Sequence, residues 1–371
     1  GNDTLTGNNA NNFLSGGDGN DSLIGAAGVD TLDGGNGIDT ASYSNSGTGV
    51  LINLSTSTGN GGDAEGDIFV SIENLEGSEF DDNLTGDISR NTFYGLVGND
   101  ILSGKEGSDT LFGGEGNDTL NGNEDNDNLL GENGSDNLNG GDGTDTLNGN
   151  EGNDQLNGNT GNDLLIGEAG NDLIDGGSDT DTVSYFNSSN SVTVNLDETS
   201  SYQNENSIDI IHESIFLDNP IPTSPEPNFT IASGTAADGF GTTDTLKNLE
   251  NIIASQQNDV LIGNASDNKI EALGGNDFLI GNAGNDTLDG GEGSDSVSFS
   301  RETDGVNINL EIGRTTDSFG DTDTLISIEN ITGSAGDDTI TGNSQNNTIF
   351  AGSGNDTVEA RNGNDIIFGE D

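Results

Sequence analysis

Carboxylates return every ninth residue over most of this 371-residue chain, and regular hard-oxygen donors can do one of two things. They hold cations, or they work in acid–base pairs. In the longest run the column reads Asp82, Asn91, Asp100, Asp109, Asp118, Asp127, Asp136, Asp145, Asp154, Asp163, Asp172 and Asp181. Shorter runs give Asp3, Asn12, Asp21, Asp30 and Asp39, then Asp259, Asn268, Asp277, Asp286 and Asp295, then Asp338, Asn347, Asp356 and Asp365. With the column as position six, Gly stands at position one from Gly77 to Gly176 without a break, and position eight is apolar, from Leu84 and Phe93 to Ile174 and Val183. Acid–base catalysis finds no support. His212 is the only histidine and lacks the second histidine of a zinc-protease helix, no Cys can serve as a nucleophile, and there is no G-x-S-x-G elbow. So many equivalent acids single out no glycosidase pair.

Composition points the same way. Only 28% of residues are apolar, and 67 acidic residues face 7 basic ones for a net charge of -60. A polyanion of this kind excludes nucleic acid and anionic membranes as partners, and its self-repulsion opposes compaction unless cations relieve it. No apolar run approaches the length of a membrane-spanning helix, so membrane insertion is not expected. The absence of Cys removes disulfides and thiolate metal sites. Residues 1–7 carry no signal-peptide pattern, and both ends cut through a nonapeptide, so the chain reads as a segment of something longer.

The elements that position the carboxylates follow from the period. Residues rich in Gly, Asn and Asp, followed by x-apolar-x, describe a turn and a short strand. Two units make one flattened coil, so units n and n+2 stack at strand spacing, with position-eight residues inside and position-six residues along both edges. Gly is expected where φ turns positive, and Asp125 and Asp179, which replace it at position four, tolerate that region. Carboxylates stacked this closely repel by roughly 1 to 3 kcal/mol, which a divalent cation reverses.

The register divides the chain into arrays at 1–42, 77–184 (twelve nonapeptides), 254–298 and 333–371, and spacers at 43–76, 185–253 and 299–332. Each spacer opens at or just after a Tyr or Phe and contains an alternating strand: Val50 to Leu54, Val192 to Leu196, or Val306 to Leu310. Each closes on Ile72-Glu73-Asn74-Leu75, Leu249-Glu250-Asn251-Ile252 or Ile328-Glu329-Asn330-Ile331. These segments are expected to be larger coils of the same stack, the middle one carrying a protruding loop with Pro220, Pro222, Pro225 and Pro227. The second unit of every array has Asn at position six, which suits an end coil that cannot complete a cation site.

Units such as Gly113-Gly114-Glu115-Gly116-Asn117-Asp118-Thr119-Leu120-Asn121 resemble the RTX family, the hemolysin-type calcium-binding nonapeptide repeats. The resemblance covers about two thirds of the residues. It implies an all-β parallel β-roll solenoid binding multiple Ca²⁺ ions. Each ion would lie between turns n and n+2, on the position-six aspartates named above and on backbone carbonyls of the Gly-rich loops. Position-two Gly is replaced by Asp87, Leu96, Lys105, Asn123 and Glu132, which leaves those carbonyls in place. The resemblance further implies a secreted or cell-surface bacterial protein that leaves by type I export and folds on meeting extracellular calcium. On that reading the chain is a non-enzymatic structural or adhesive segment, with cell-surface or matrix components as candidate partners. The alternative is the C-terminal module of an exported protease, lipase or epimerase whose catalytic domain lies outside this chain. An ice-binding roll would need Thr along position three, where this chain has Glu106, Glu115, Glu124, Asp142 and Glu151, with Thr160 alone.

Overall fold

A computed structural model describes residues 1–203, 230–317 and 320–369. His212 and the four prolines lie outside the described residues. The fold is an all-β parallel solenoid, and the only helix among the described residues is a single 3₁₀ turn at Gly62–Ala64. The chain forms two compact units, residues 1–181 and 182–371.

In the first unit, short strands alternate between two parallel sheets. Thr110–Glu115 pairs with Asn128–Asn133 in one, and Thr119–Glu124 with Asn137–Asp142 in the other. Partners lie eighteen residues apart, so Leu111 sits on Leu129 and Leu120 on Leu138. Position eight alone points inward, and the stack from Leu84 to Ile174 is wholly buried. The core is therefore a double file of apolar side chains, one rung per unit, which explains how so apolar-poor a chain stays compact.

Spacers stay in the stack. In the first, Asn74–Glu76 takes the place of an ordinary strand, pairing in parallel with Thr40–Ser42 on one side and Thr92–Val97 on the other. On the opposite sheet three strands are inserted. Ile68–Val70 runs parallel to Thr31–Asn36, Thr58–Asn60 runs antiparallel to it, and Leu51–Asn53 reverses again to pair in parallel with Asn83–Thr85.

The second unit repeats both arrangements. Its first spacer places Thr243–Lys247, Thr235–Ala237 and Thr193–Asn195 in antiparallel succession before Val260–Ile262. The next places Thr324–Ile326, Arg314–Thr316 and Asn307–Asn309 between Thr287–Asp289 and Thr339–Thr341. Ile52, Leu75, Val194, Ile252, Ile308 and Ile331 continue the buried file through all three.

Candidate metal centre

The position-six aspartates form two ladders, one per edge. On one edge the N–H of Asp82 donates to Asp100 Oδ1 at 2.7 Å, Asp100 to Asp118 at 2.7 Å, Asp118 to Asp136 at 2.7 Å and Asp136 to Asp154 at 2.8 Å. On the other, Asn91, Asp109, Asp127 and Asp145 donate in the same way to Asp109, Asp127, Asp145 and Asp163. Asp154 and Asp163 donate onward to Asp172 and Asp181. Asp3 and Asp21 donate to Asp21 and Asp39, Asp259 and Asp277 to Asp277 and Asp295, Asn268 to Asp286, Asp338 to Asp356 and Asn347 to Asp365. Asp3 is exposed, and Asp356 and Asp365 are half-buried.

One oxygen of each carboxylate is thus committed to the backbone. The other is the chemically informative one. Oδ2 of Asp21, Asp30, Asp39, Asp100, Asp109, Asp118, Asp127, Asp136, Asp145, Asp154, Asp163, Asp277, Asp286 and Asp295 is buried and accepts no hydrogen bond. A buried anion without a donor is strongly disfavoured, so each such oxygen requires a cation or a proton. Burial pushes the carboxyl of Asp277 up to about 8, and those of Asp100, Asp109, Asp127, Asp154 and Asp286 up to about 7.

On both edges a carbonyl faces many of these oxygens. A Cβ added to Gly113 would lie 2.5 Å from Asp118 Oδ2 and 2.7 Å from Gly131 O, so the two oxygens converge on one small volume that only Gly leaves open. Gly140 stands in the same relation to Asp145 Oδ2 and, 2.9 Å away, Gly158 O. Among the described residues no three His, Cys, Asp or Glu side chains converge, so the peptide backbone has to supply most of the donors. A hard, oxygen-rich and carbonyl-dominated set suits Ca²⁺ over Zn²⁺ or Cu²⁺, and over Mg²⁺, which gives up its waters reluctantly.

The loop backbone is shaped to match. Position four has a positive φ in most units of the long array, with Asp125 at φ 73° and Asp179 at φ 84° where most others have Gly. At Gly134 (φ 142°) a Cβ would also overlap the Gly116 carbonyl oxygen of the preceding coil. Position two is left-handed as well, even where it carries a side chain: Leu96 at φ 80°, Lys105 at 89°, Asn123 at 84° and Glu132 at 73°. Each costs about 1 to 2 kcal/mol of backbone strain. Strain retained in unit after unit indicates that something in the loop holds it.

Matches to known sequences agree with this geometry. The sequence profile of the RTX calcium-binding nonapeptide repeat matches residues 1–41, 76–183, 250–304 and 327–371. This chain belongs to that family. Its repeats are calcium-binding repeats forming a β-roll, and the RTX solenoid takes multiple Ca²⁺ ions. No curated protein matches the chain.

Three RTX loops differ from the rest. Asp82, Asp259 and Asp338 open their arrays with Ser at position two, and the N–H of Ser78, Ser255 and Ser334 donates to the Oδ2 of each, at 2.5, 2.9 and 2.7 Å. The serine hydroxyls add further donors. The N–H groups of Val50, Val192 and Val306 reach Oδ1 from the spacers. These carboxylates are fully hydrogen-bonded by the protein alone.

The Asn coils that follow are closed in a related way. Asn91, Asn268 and Asn347 accept from the N–H of Asp87, Asn264 and Asn343 through Oδ1, and donate through Nδ2 to the carbonyls of Glu73, Glu250 and Glu329. Asn12 accepts from Asn8 N–H in the same manner. Aspartate could not make the second contact, because it has no N–H. In none of these closed loops does the position-two residue have a positive φ.

Sequence reasoning missed the spacer acids. Asp67 Oδ1 accepts Asp30 N–H at 2.7 Å, and Asp323 Oδ1 accepts Asp286 N–H at 3.0 Å, each acting as the next rung of the ladder. The Tyr43 hydroxyl donates to Asp67 Oδ2 and that of Tyr185 to Asp244 Oδ2. The available signal was that Asp67-Ile68-Phe69, Asp244-Thr245-Leu246 and Asp323-Thr324-Leu325 keep the Asp-x-apolar pattern of positions six to eight.

Proposed function

We propose that this chain is a calcium-folded structural segment of a secreted or cell-surface protein, rigid only where calcium is abundant, and that its role is to hold or present other parts, adhesively or as a spacer. The observation that carries the reading is the buried, donor-less Asp Oδ2 facing a Gly carbonyl, repeated along both edges. In low calcium these carboxylates stay charged and repel. At the roughly millimolar calcium where extracellular modules bind, each becomes a ligand and the coil closes.

The ligand aspartates on this reading are those whose position-two residue is left-handed: Asp21, Asp30, Asp39, Asp100, Asp109, Asp118, Asp127, Asp136, Asp145, Asp154, Asp163, Asp172, Asp181, Asp277, Asp286, Asp295, Asp356 and Asp365. Asp82, Asp259 and Asp338 serve as hydrogen-bonded caps instead, and Asp3 contributes its N–H. Circular dichroism during calcium titration of chelated protein tests the proposal. A cooperative gain of β signal is expected, with magnesium at equal concentration ineffective. Full β signal in excess chelator at neutral pH would refute it.

A further inference from the structure

The arrays do not end at their last nonapeptide. Asp39 and Asp295 are the final position-six residues before the first and third spacers, so neither has a coil of its own array two units on to complete its loop. Both are fully buried, and Oδ2 of each accepts no hydrogen bond. The spacers provide what the missing coil would have provided. A Cβ on Gly34 would lie 2.5 Å from Asp39 Oδ2 and directly against the Ser71 carbonyl oxygen. A Cβ on Gly290 would lie 2.6 Å from Asp295 Oδ2 and directly against the Ser327 carbonyl oxygen. Ser71 and Ser327 are left-handed, at φ 49° and 52°, and this turn aims their carbonyls at the loop.

The rung after that carbonyl is a glutamate. Glu73 Oε2 accepts Asp39 N–H at 2.9 Å, and Glu329 Oε2 accepts Asp295 N–H at 2.9 Å, the bond that Asp Oδ1 makes elsewhere. Both glutamates are followed by Asn, and Asn74 and Asn330 then accept the N–H of Thr92 and Thr348, returning the ladder to its usual register.

We propose that the first and third spacers each complete one additional divalent-cation site, built from Asp39 Oδ2, Ser71 O and Glu73 in one and from Asp295 Oδ2, Ser327 O and Glu329 in the other. The proposal rests on the calcium-folded reading above. It makes the spacers ligands of the arrays they follow, so metal fastens array to spacer as it fastens coil to coil.

Equilibrium dialysis of the full chain against calcium, at the lowest free concentration that saturates the wild type, tests it. Glu73→Gln and Glu329→Gln should each bind one ion fewer and the double variant two fewer, while Glu79→Gln, at an exposed acid in a capped loop, keeps the full number. Asp39→Asn should lose one ion, and adding Glu73→Gln to it should lose no more, because both act on the same ion. Should Glu73→Gln fail to fold, Glu329→Gln decides. A full complement in both glutamate variants, with Asp39→Asn still one ion short, would overturn the spacer sites and leave the calcium reading standing. Absence of binding by the wild type would overturn the reading itself.

Discussion

Coils that open an array and coils in its middle stack in the same strand register, yet their carboxylates live in opposite circumstances. Asp82 receives N–H groups from Val50 and Ser78 together with the Ser78 hydroxyl. Asp136, three coils further along the same edge, receives the N–H of Asp118 on one oxygen and nothing on the other. Position two decides between them: a Ser outside the left-handed region turns its N–H onto the carboxylate, whereas Glu132 at φ 73° does not. One array can therefore hold a coil whose carboxylate the protein itself hydrogen-bonds and a coil whose carboxylate is left one donor short, and the opening coils are of the first kind.

The largest test of this contrast is removal of metal. In excess chelator, hydrogen exchange at Leu120, Leu129, Leu138 and Leu147 should accelerate by orders of magnitude, while amides of the opening coil and of the spacer strand paired with it, such as those of Leu84 and Ile52, retain more protection. Uniform loss across both regions would erase the distinction.

Gly134→Ala comes next. Its Cβ would overlap Gly116 O as well as straining φ, so a loss of about 3 kcal/mol or more is expected in calcium. Gly17→Ala, where a Cβ meets nothing within 4 Å, should cost only about 1 to 2 kcal/mol. Thermal unfolding of the two variants measures the gap.

Asp136→Asn against Asp82→Asn sharpens the comparison at the level of single side chains. The first should reduce bound calcium, and the second should leave the ion count intact and cost about 1 to 3 kcal/mol of stability from disturbed hydrogen bonds. Calorimetric titration separates the two outcomes.

The smallest expected effect is on pH dependence. A carboxyl raised from near 4 to about 7 or 8, as burial does to Asp100 and Asp277, favours the folded chain when protonated. Its contribution is fully present below about pH 4 and is lost as pH rises through the folded value. Chelated protein should therefore gain β signal on acidification from about pH 8 toward 5, and calcium-loaded protein should release metal over the same span, since protons compete for Oδ2. Far-UV dichroism and a calcium electrode read the two halves.

Much of this was legible beforehand, because a nine-residue period with one inward position leaves little freedom in register: Leu111 over Leu129 follows from counting. Asp125 and Asp179 at left-handed turns were equally readable. The difference between Asp82 and Asp136 was not, because both occupy the same column and the distinction lies in whether a neighbouring N–H turns inward. Asn91 reads from the sequence as part of an end coil, but its donation to Glu73 O required knowing that the spacer lies beneath it. Glu73 and Glu329 were hidden by their side-chain type and by spacings of 34 residues from Asp39 and Asp295.

The inserted three-strand meander reverses direction twice, so the strand that leaves a spacer points the same way as the strand that entered it. An array and its spacer together form a cassette with matching ends. A stack assembled from such cassettes can be lengthened by whole cassettes without refitting either junction, and one plan recurs at 43–76, 185–253 and 299–332.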